Sequence, residues 1–135
     1  MFLKRIMAMR IYVRKMFPHD ITHEVSVRTD IVQDFFGGKT RGMTFIGKKT
    51  SLEGEVIINS ATDPRFGGDF KGLLTDEGRA DVNDILLIYK LGCDRYKLEI
   101  VKPNDSRYFD LMVLFRGKAR HAFLETEEEL KLAGL

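Results

Sequence analysis

A chain of 135 residues, 44 % hydrophobic and 31 % charged, has the balance of one folded globular domain and excludes a disordered or low-complexity segment. No apolar run approaches the ~18 residues that cross a bilayer. The basic first ten residues lack the uninterrupted apolar stretch of a signal peptide. One cysteine, Cys93, excludes an internal disulfide, and with three histidines it is too little for a structural zinc site. The expectation is a cytoplasmic protein in a reducing compartment, with no membrane partner, cofactor or metal. The net charge of +2 conceals an asymmetry: residues 1–50 hold ten Lys/Arg against four Asp/Glu, and residues 51–135 hold twelve against sixteen. A basic half beside an acidic half predicts one face that attracts polyanions.

In chain order, "MAMRIYVRK" (7–15) alternates, with Ile11 and Val13 on one side and Arg10, Tyr12 and Arg14 on the other, which predicts a half-buried strand. "ITHEVSVR" (21–28) alternates in the same way and predicts a second strand, with Ile21, His23, Val25 and Val27 on one face. "TDIVQDFFGG" (29–38) switches to helical spacing, capped by Thr29 or Asp30, striped by Ile31, Val32, Phe35 and Phe36, and stopped at Gly37. "GMTFIGKK" and "EGEVIINSA" predict two strands around the turn Thr50-Ser51-Leu52. "NDILLIYKLG" and "RYKLEIVKP" predict a hairpin turning through Gly92-Cys93-Asp94.

The segment between Ala61 and Val82, "TDPRFGGDFKGLLTDEGRA", carries glycines, a proline and both charge signs, and reads as a long exposed connection. "NDSRYFDLMVLF" (104–115) predicts a helix capped by Asp105 or Ser106, with Tyr108, Leu111, Met112 and Phe115 inward. "HAFLET" reads as a last strand. The sum is a mainly-β, α+β chain: a seven-stranded open β-barrel with two short helices, one domain over 1–135 with a core of about 7–126 and an acidic tail over 127–135.

His19 and His23 stand four apart, a spacing that grips a metal only on a helix. Pro18 and the alternation that follows predict loop and strand instead, leaving a structural role or donation to a ligand at the loop. Asp63, Asp69 and Lys71 mimic the order of a magnesium nuclease, but in a loop with short spacing, so a small nuclease is the alternative and not the leading reading. No Gly-x-Ser-x-Gly elbow exists, and Cys93 sits in a turn with no histidine nearby in sequence. Gly37-Gly38-Lys39-Thr40 lacks the earlier glycine of a phosphate loop and follows a helix, so it reads as a helix end and turn.

What remains is a set of cations and short polar side chains: Arg14, Lys15, His19, Thr22, Lys39, Arg41, Lys48, Lys49, Asn59, Arg65 and Lys71. Arg and Lys neutralise phosphates, and Arg and Asn make two-point contacts with base edges. Aromatic residues free to stack on bases are scarce, with no Trp in the chain, which favours double-stranded DNA over RNA. A third reading is a β-barrel protein-interaction domain whose basic half meets an acidic partner.

The order of strand, "ITHEVSVRTDIVQDFF", strand pair, long loop and "VNDILLIYKLGCDRYKLEIVKP" resembles the DNA-binding pseudobarrel family. That family includes the plant B-three transcription-factor domain and the N-terminal effector domain of EcoRII-type restriction endonucleases. The likeness spans roughly residues 7–103. It includes the entry into a strand at Val82-Asn83-Asp84-Ile85-Leu86, where Asn83 replaces the family's usual glycine, and Arg28-Thr29 stand where the family often has Pro-Lys. The resemblance implies a non-catalytic, sequence-specific effector domain of a prokaryotic restriction enzyme, with a possible fused nuclease domain. Its two arms would map onto residues 14–22 and about 59–71, holding the major groove. Arg14, Lys15, His19, Thr22, Lys39, Arg41, Asn59, Arg65 and Lys71 are the expected DNA-binding residues.

Overall fold

The computed structural model describes residues 9–60, 62–117 and 119–135. Seven strands form one curled sheet, a half-barrel: β1 (Ile11–Lys15), β2 (Met43–Gly47), β3 (Glu53–Asn59), β4 (Arg65–Gly68), β5 (Ile85–Gly92), β6 (Arg95–Val101) and β7 (His121–Leu124). Their spatial order is β4-β3-β2-β6-β5-β1-β7. Every neighbouring pair is antiparallel except β2 and β6, which run parallel from Thr44↔Arg95 to Gly47↔Leu98. The expected hairpins are present. β2 and β3 turn through a segment with Ser51 at φ 62°, and β5 and β6 turn through Asp94 at φ 57°. Asn83, at φ 72°, takes the left-handed conformation that Asn tolerates better than most non-glycine residues.

The sheet is covered on both sides. Its concave face holds Tyr12, Phe45, Phe66, Tyr96 and Leu98 with Phe35 and Phe36. Its convex face packs Ile11, Val13, Ile85, Leu87 and Val101 against the C-terminal helices. A strand covered on both faces buries every side chain, so β1 shows four consecutive buried residues, Arg14 among them.

The described residues have more helix than the sequence predicts, in five short α-helices: α1 (Pro18–Thr22), α2 (Thr29–Asp34), α3 (Phe70–Asp76), α4 (Tyr108–Met112) and α5 (Glu127–Leu130). Residues 21–28 are not a strand. Pro18 opens α1 at its first position, where a missing N–H costs nothing, and only Ser26 makes an isolated bridge, to Arg65. Nor is 61–82 an open connection. Phe66 belongs to β4, and Phe70, Leu73 and Leu74 of α3 are buried at helical spacing. The helix expected over 104–115 narrows to α4 with a 3-10 turn, Val113–Phe115. The acidic tail is ordered: Thr126 caps α5, accepting from Glu129 N at 3.1 Å, and Leu130 and Ala133 are buried in the convex core. Among the described residues no helix is long and apolar enough to cross a membrane.

Candidate nucleic-acid interface

β1, β2 and β6 run in one direction, so Lys15, the Lys48-Lys49 turn and the start of β7 at His121 share one end of the sheet. From that end the chain leaves β1, makes α1, and runs as residues 23–28 along the free edge of β4. There Val27 N donates to Pro64 O and Phe66 N to Val25 O, at 2.9 and 2.8 Å. The segment closes the seam of the half-barrel.

Arg14 fastens that seam. It is fully buried, and its guanidinium donates to Asp20 Oδ1 (2.8 Å), Ser26 O (3.1 Å), Ser26 Oγ (2.9 Å) and Lys15 O. Asp20 is equally buried, and its second oxygen accepts Phe17 N at 2.8 Å, which sets the start of α1. The expectation that Arg14 touches DNA is therefore corrected: a side chain on the concave face, saturated by protein acceptors, holds the arm and cannot reach a phosphate.

Lys71 needs a similar correction. Its ammonium donates to Asp20 O (2.6 Å) and Ile21 O (3.1 Å), tying α3 to the end of α1. Burial pulls its pKa down, opposed by the carboxylates of Asp20 and Glu24. Asn59 donates to Glu24 Oε2 at 3.0 Å, and Arg65 bonds Asp63 Oδ2 at 2.8 Å and Glu24 O at 3.4 Å. The two expected arms are thus stitched to each other along 20–24, and the second is largely neutralised by its own acids. Lys39 lies at the far end of the sheet, paired with Asp94 at 2.7 Å. Arg41, also exposed, follows it in that loop.

Two cations without a carboxylate partner among the described residues, Lys15 and Arg120, lie next to α1. Phe17 lies between them, with the Arg120 guanidinium 4.3 Å and the Lys15 ammonium 5.6 Å from its ring centroid. Lys15 N also donates to Arg120 O at 3.0 Å. Beyond Phe17, α1 exposes His19 and Thr22, followed by His23. Beside this cluster, Arg28 is held by Asp30 through two 3.0 Å bonds, and bonding to Arg28 keeps the Asp30 carboxyl below the usual range.

His121 belongs to the same surface. Its Nδ1 lies 2.6 Å from Tyr12 Oη. Burial first, then the charges of Arg14, Arg28 and Arg120, push its pKa down to about 4, while burial pushes the Tyr12 phenol up. Either group can donate in this bond; with the phenol donating to Nδ1, the neutral His121 ring carries its proton on Nε2. The ring sits among cations. Sequence reading missed Arg28, Arg120 and His121. The signal was "RGKARH" (116–121), three cations with no acid, averaged away within the acidic half.

The residues of the nuclease alternative do not converge. Asp63 sits before β4 with Arg65. Asp69 sits past its other end, accepting Glu55 N at 2.9 Å, and Lys71 points to α1. Four residues of strand separate the two acids by ~13 Å, too far to share one ion. Among the described residues no three His, Cys, Asp or Glu side chains form a metal-holding group.

No protein-family model matches the chain, and no curated protein does. Among solved structures it is similar to the N-terminal domain of Helicobacter pylori LlaJI.R1. The identity is 26 % and the TM-score 0.80, over 87 % of this chain and 99 % of that one. The likeness therefore covers nearly the whole of that domain and most of this chain.

Proposed function

We propose that this chain is a non-catalytic, sequence-specific DNA-binding effector domain of a prokaryotic restriction system, built on a pseudobarrel. The observation that carries the reading is the likeness, over 99 % of its length, to the N-terminal domain of a restriction-system protein. The geometry adds a surface suited to the task. Lys15 and Arg120, with no carboxylate partner among the described residues, offer charge to phosphates, and α1 projects His19 and Thr22 from a rigid, proline-started turn. A surface ordered before docking loses less entropy on binding. In this reading Lys15, Arg120 and His121 position the backbone, and His19, Thr22 and Arg65 are the candidates for base contact.

Selection from a pool of random duplexes, followed by fluorescence anisotropy on the enriched site and on a scrambled one, tests the reading. His19→Ala or Arg65→Ala is expected to lose about 1–3 kcal/mol on the preferred site and little on the scrambled one. No enrichment, with no binding at low salt, would overturn it in favour of a protein-interaction domain.

A further inference from the structure

His19 and His23 do not lie on the loop and strand that their sequence context predicts. His23 N donates to His19 O at 2.9 Å, a full helical turn. Their rings stack with centroids 4.0 Å apart and planes within 6°. Both side chains are exposed, and neither is bonded to a carboxylate among the described residues. Thr22 Oγ1 lies 2.8 Å from His23 Nδ1, which leaves Nε2 as the free nitrogen of that ring. The objection to a metal rested on strand geometry; the structure instead places His19 in α1 and His23 at its C-terminal cap, one turn on.

Imidazole nitrogen is a ligand for zinc, nickel and copper ions. Two histidines one turn apart on a helix present their nitrogens to one ion. Zn–N bonds of about 2.0–2.1 Å place two such nitrogens about 3 Å apart, close to the 4.0 Å between the two ring centroids. A hydroxyl bonded to the second ring nitrogen orients the ligand and sets its tautomer, as partners of metal-bound histidines do.

We propose that His19 in α1 and His23 at its C-terminal cap form a two-nitrogen site for one divalent transition-metal ion. With no third protein ligand among the described residues, the ion keeps open positions. On the DNA-binding reading, on which this clause rests, one of those positions takes a phosphate oxygen beside Lys15 and Arg120.

The test is calorimetric titration of zinc chloride into the full chain, with the histidine ring signals followed by NMR. One saturable equivalent that shifts His19 and His23 is expected. His19→Ala and His23→Ala, checked for native circular dichroism, should each weaken it about tenfold or more. No uptake at millimolar zinc, or both variants binding as wild type, overturns the site. Duplex anisotropy in zinc and in chelator is the second arm. Tighter binding in zinc, lost in both variants, supports the phosphate clause, and equal binding overturns that clause alone. If no duplex binds in either condition, the DNA reading fails while the titration still decides the metal site.

Discussion

Arg14 and Asp20 form an ion pair whose side chains are 0 % and 1 % exposed, with NH2 and Oδ1 2.8 Å apart. It joins β1 to α1, and through Ser26 it also holds the segment that closes the half-barrel. Removing one member of such a pair strands the other charge in a low-dielectric interior. Asp20→Asn or Arg14→Met should therefore cost about 3–5 kcal/mol in urea denaturation. The double variant should cost less than the sum of the two. Additive losses would mean that the two side chains act independently.

Lys15→Ala and Arg120→Ala should weaken binding to all duplexes alike. Each should make the dependence of log affinity on log salt shallower by about 0.9 if it removes one phosphate contact. Lys71→Ala should leave that slope unchanged and lower stability instead, because its ammonium is bonded to the carbonyls of Asp20 and Ile21. A slope change in Lys71→Ala would show that its third donor reaches DNA.

His121 makes stability depend on acidity. Its folded pKa of about 4 lies below the ordinary value near 6.5, so between these limits the unfolded chain binds more protons than the folded one. Stability therefore rises with pH across this window, and the contribution, complete above about 6.5, is lost as the pH falls toward about 4. Denaturation midpoints over this range should fall more steeply in the wild type than in His121→Asn. Nitrogen NMR at neutral pH should find the proton on Nε2.

Two glycines on either side of Asp69 should respond oppositely to alanine. Gly68 has φ 63°, and a Cβ there would lie 2.6 Å from Glu55 O, a backbone atom, so Gly68→Ala should destabilise β3 and β4. Gly72 is an exposed position of α3 with nothing within 4 Å of a Cβ. Gly72→Ala should therefore stabilise the chain by about 0.5–1 kcal/mol, read as a shift in denaturation midpoint.

Incubation of the chain with plasmid and magnesium should leave the DNA intact, because Asp63, Asp69 and Lys71 are held apart by β4 and by their own protein partners. Cleavage that Asp69→Ala abolishes would restore the nuclease reading.

The strands were legible where alternation reports burial on a sheet face, as in β2 and β3, and where an apolar run marks burial on both faces, as in β5 with five consecutive buried residues. The same rule misled at 21–28. Val25 and Val27 do alternate inward, but they pack along β4 through a single bridge, and Pro18 starts a helix where it was read as a break. α3 was hidden by Gly67, Gly68, Gly72 and Gly78, although Phe70, Leu73 and Leu74 keep helical spacing. Arg14 was misassigned because a polar residue in an alternating strand reads as solvent-facing, and only the second covered face reveals otherwise. Lys15 ends β1 half-buried, and His19 and Thr22 are exposed on the α1 that follows it. Arg120 and His121 reach it only through the pairing of β1 with β7, a contact between chain ends that local pattern does not encode.

That pairing also governs how the chain acquires its structure. β1 lies between β5 and β7, with Ile11 opposite both Tyr89 and Leu124. Among the described strands, the earliest in sequence, β1, is completed by the latest, β7. At about 5–20 residues per second, β1 waits several seconds on the ribosome with both edges open. The parallel contact of β2 with β6 adds a further long loop closure. A topology so rich in distant contacts belongs to the slow class, folding in about milliseconds to seconds, and a nascent chain arrested before His121 would carry an open strand edge that other chains can join.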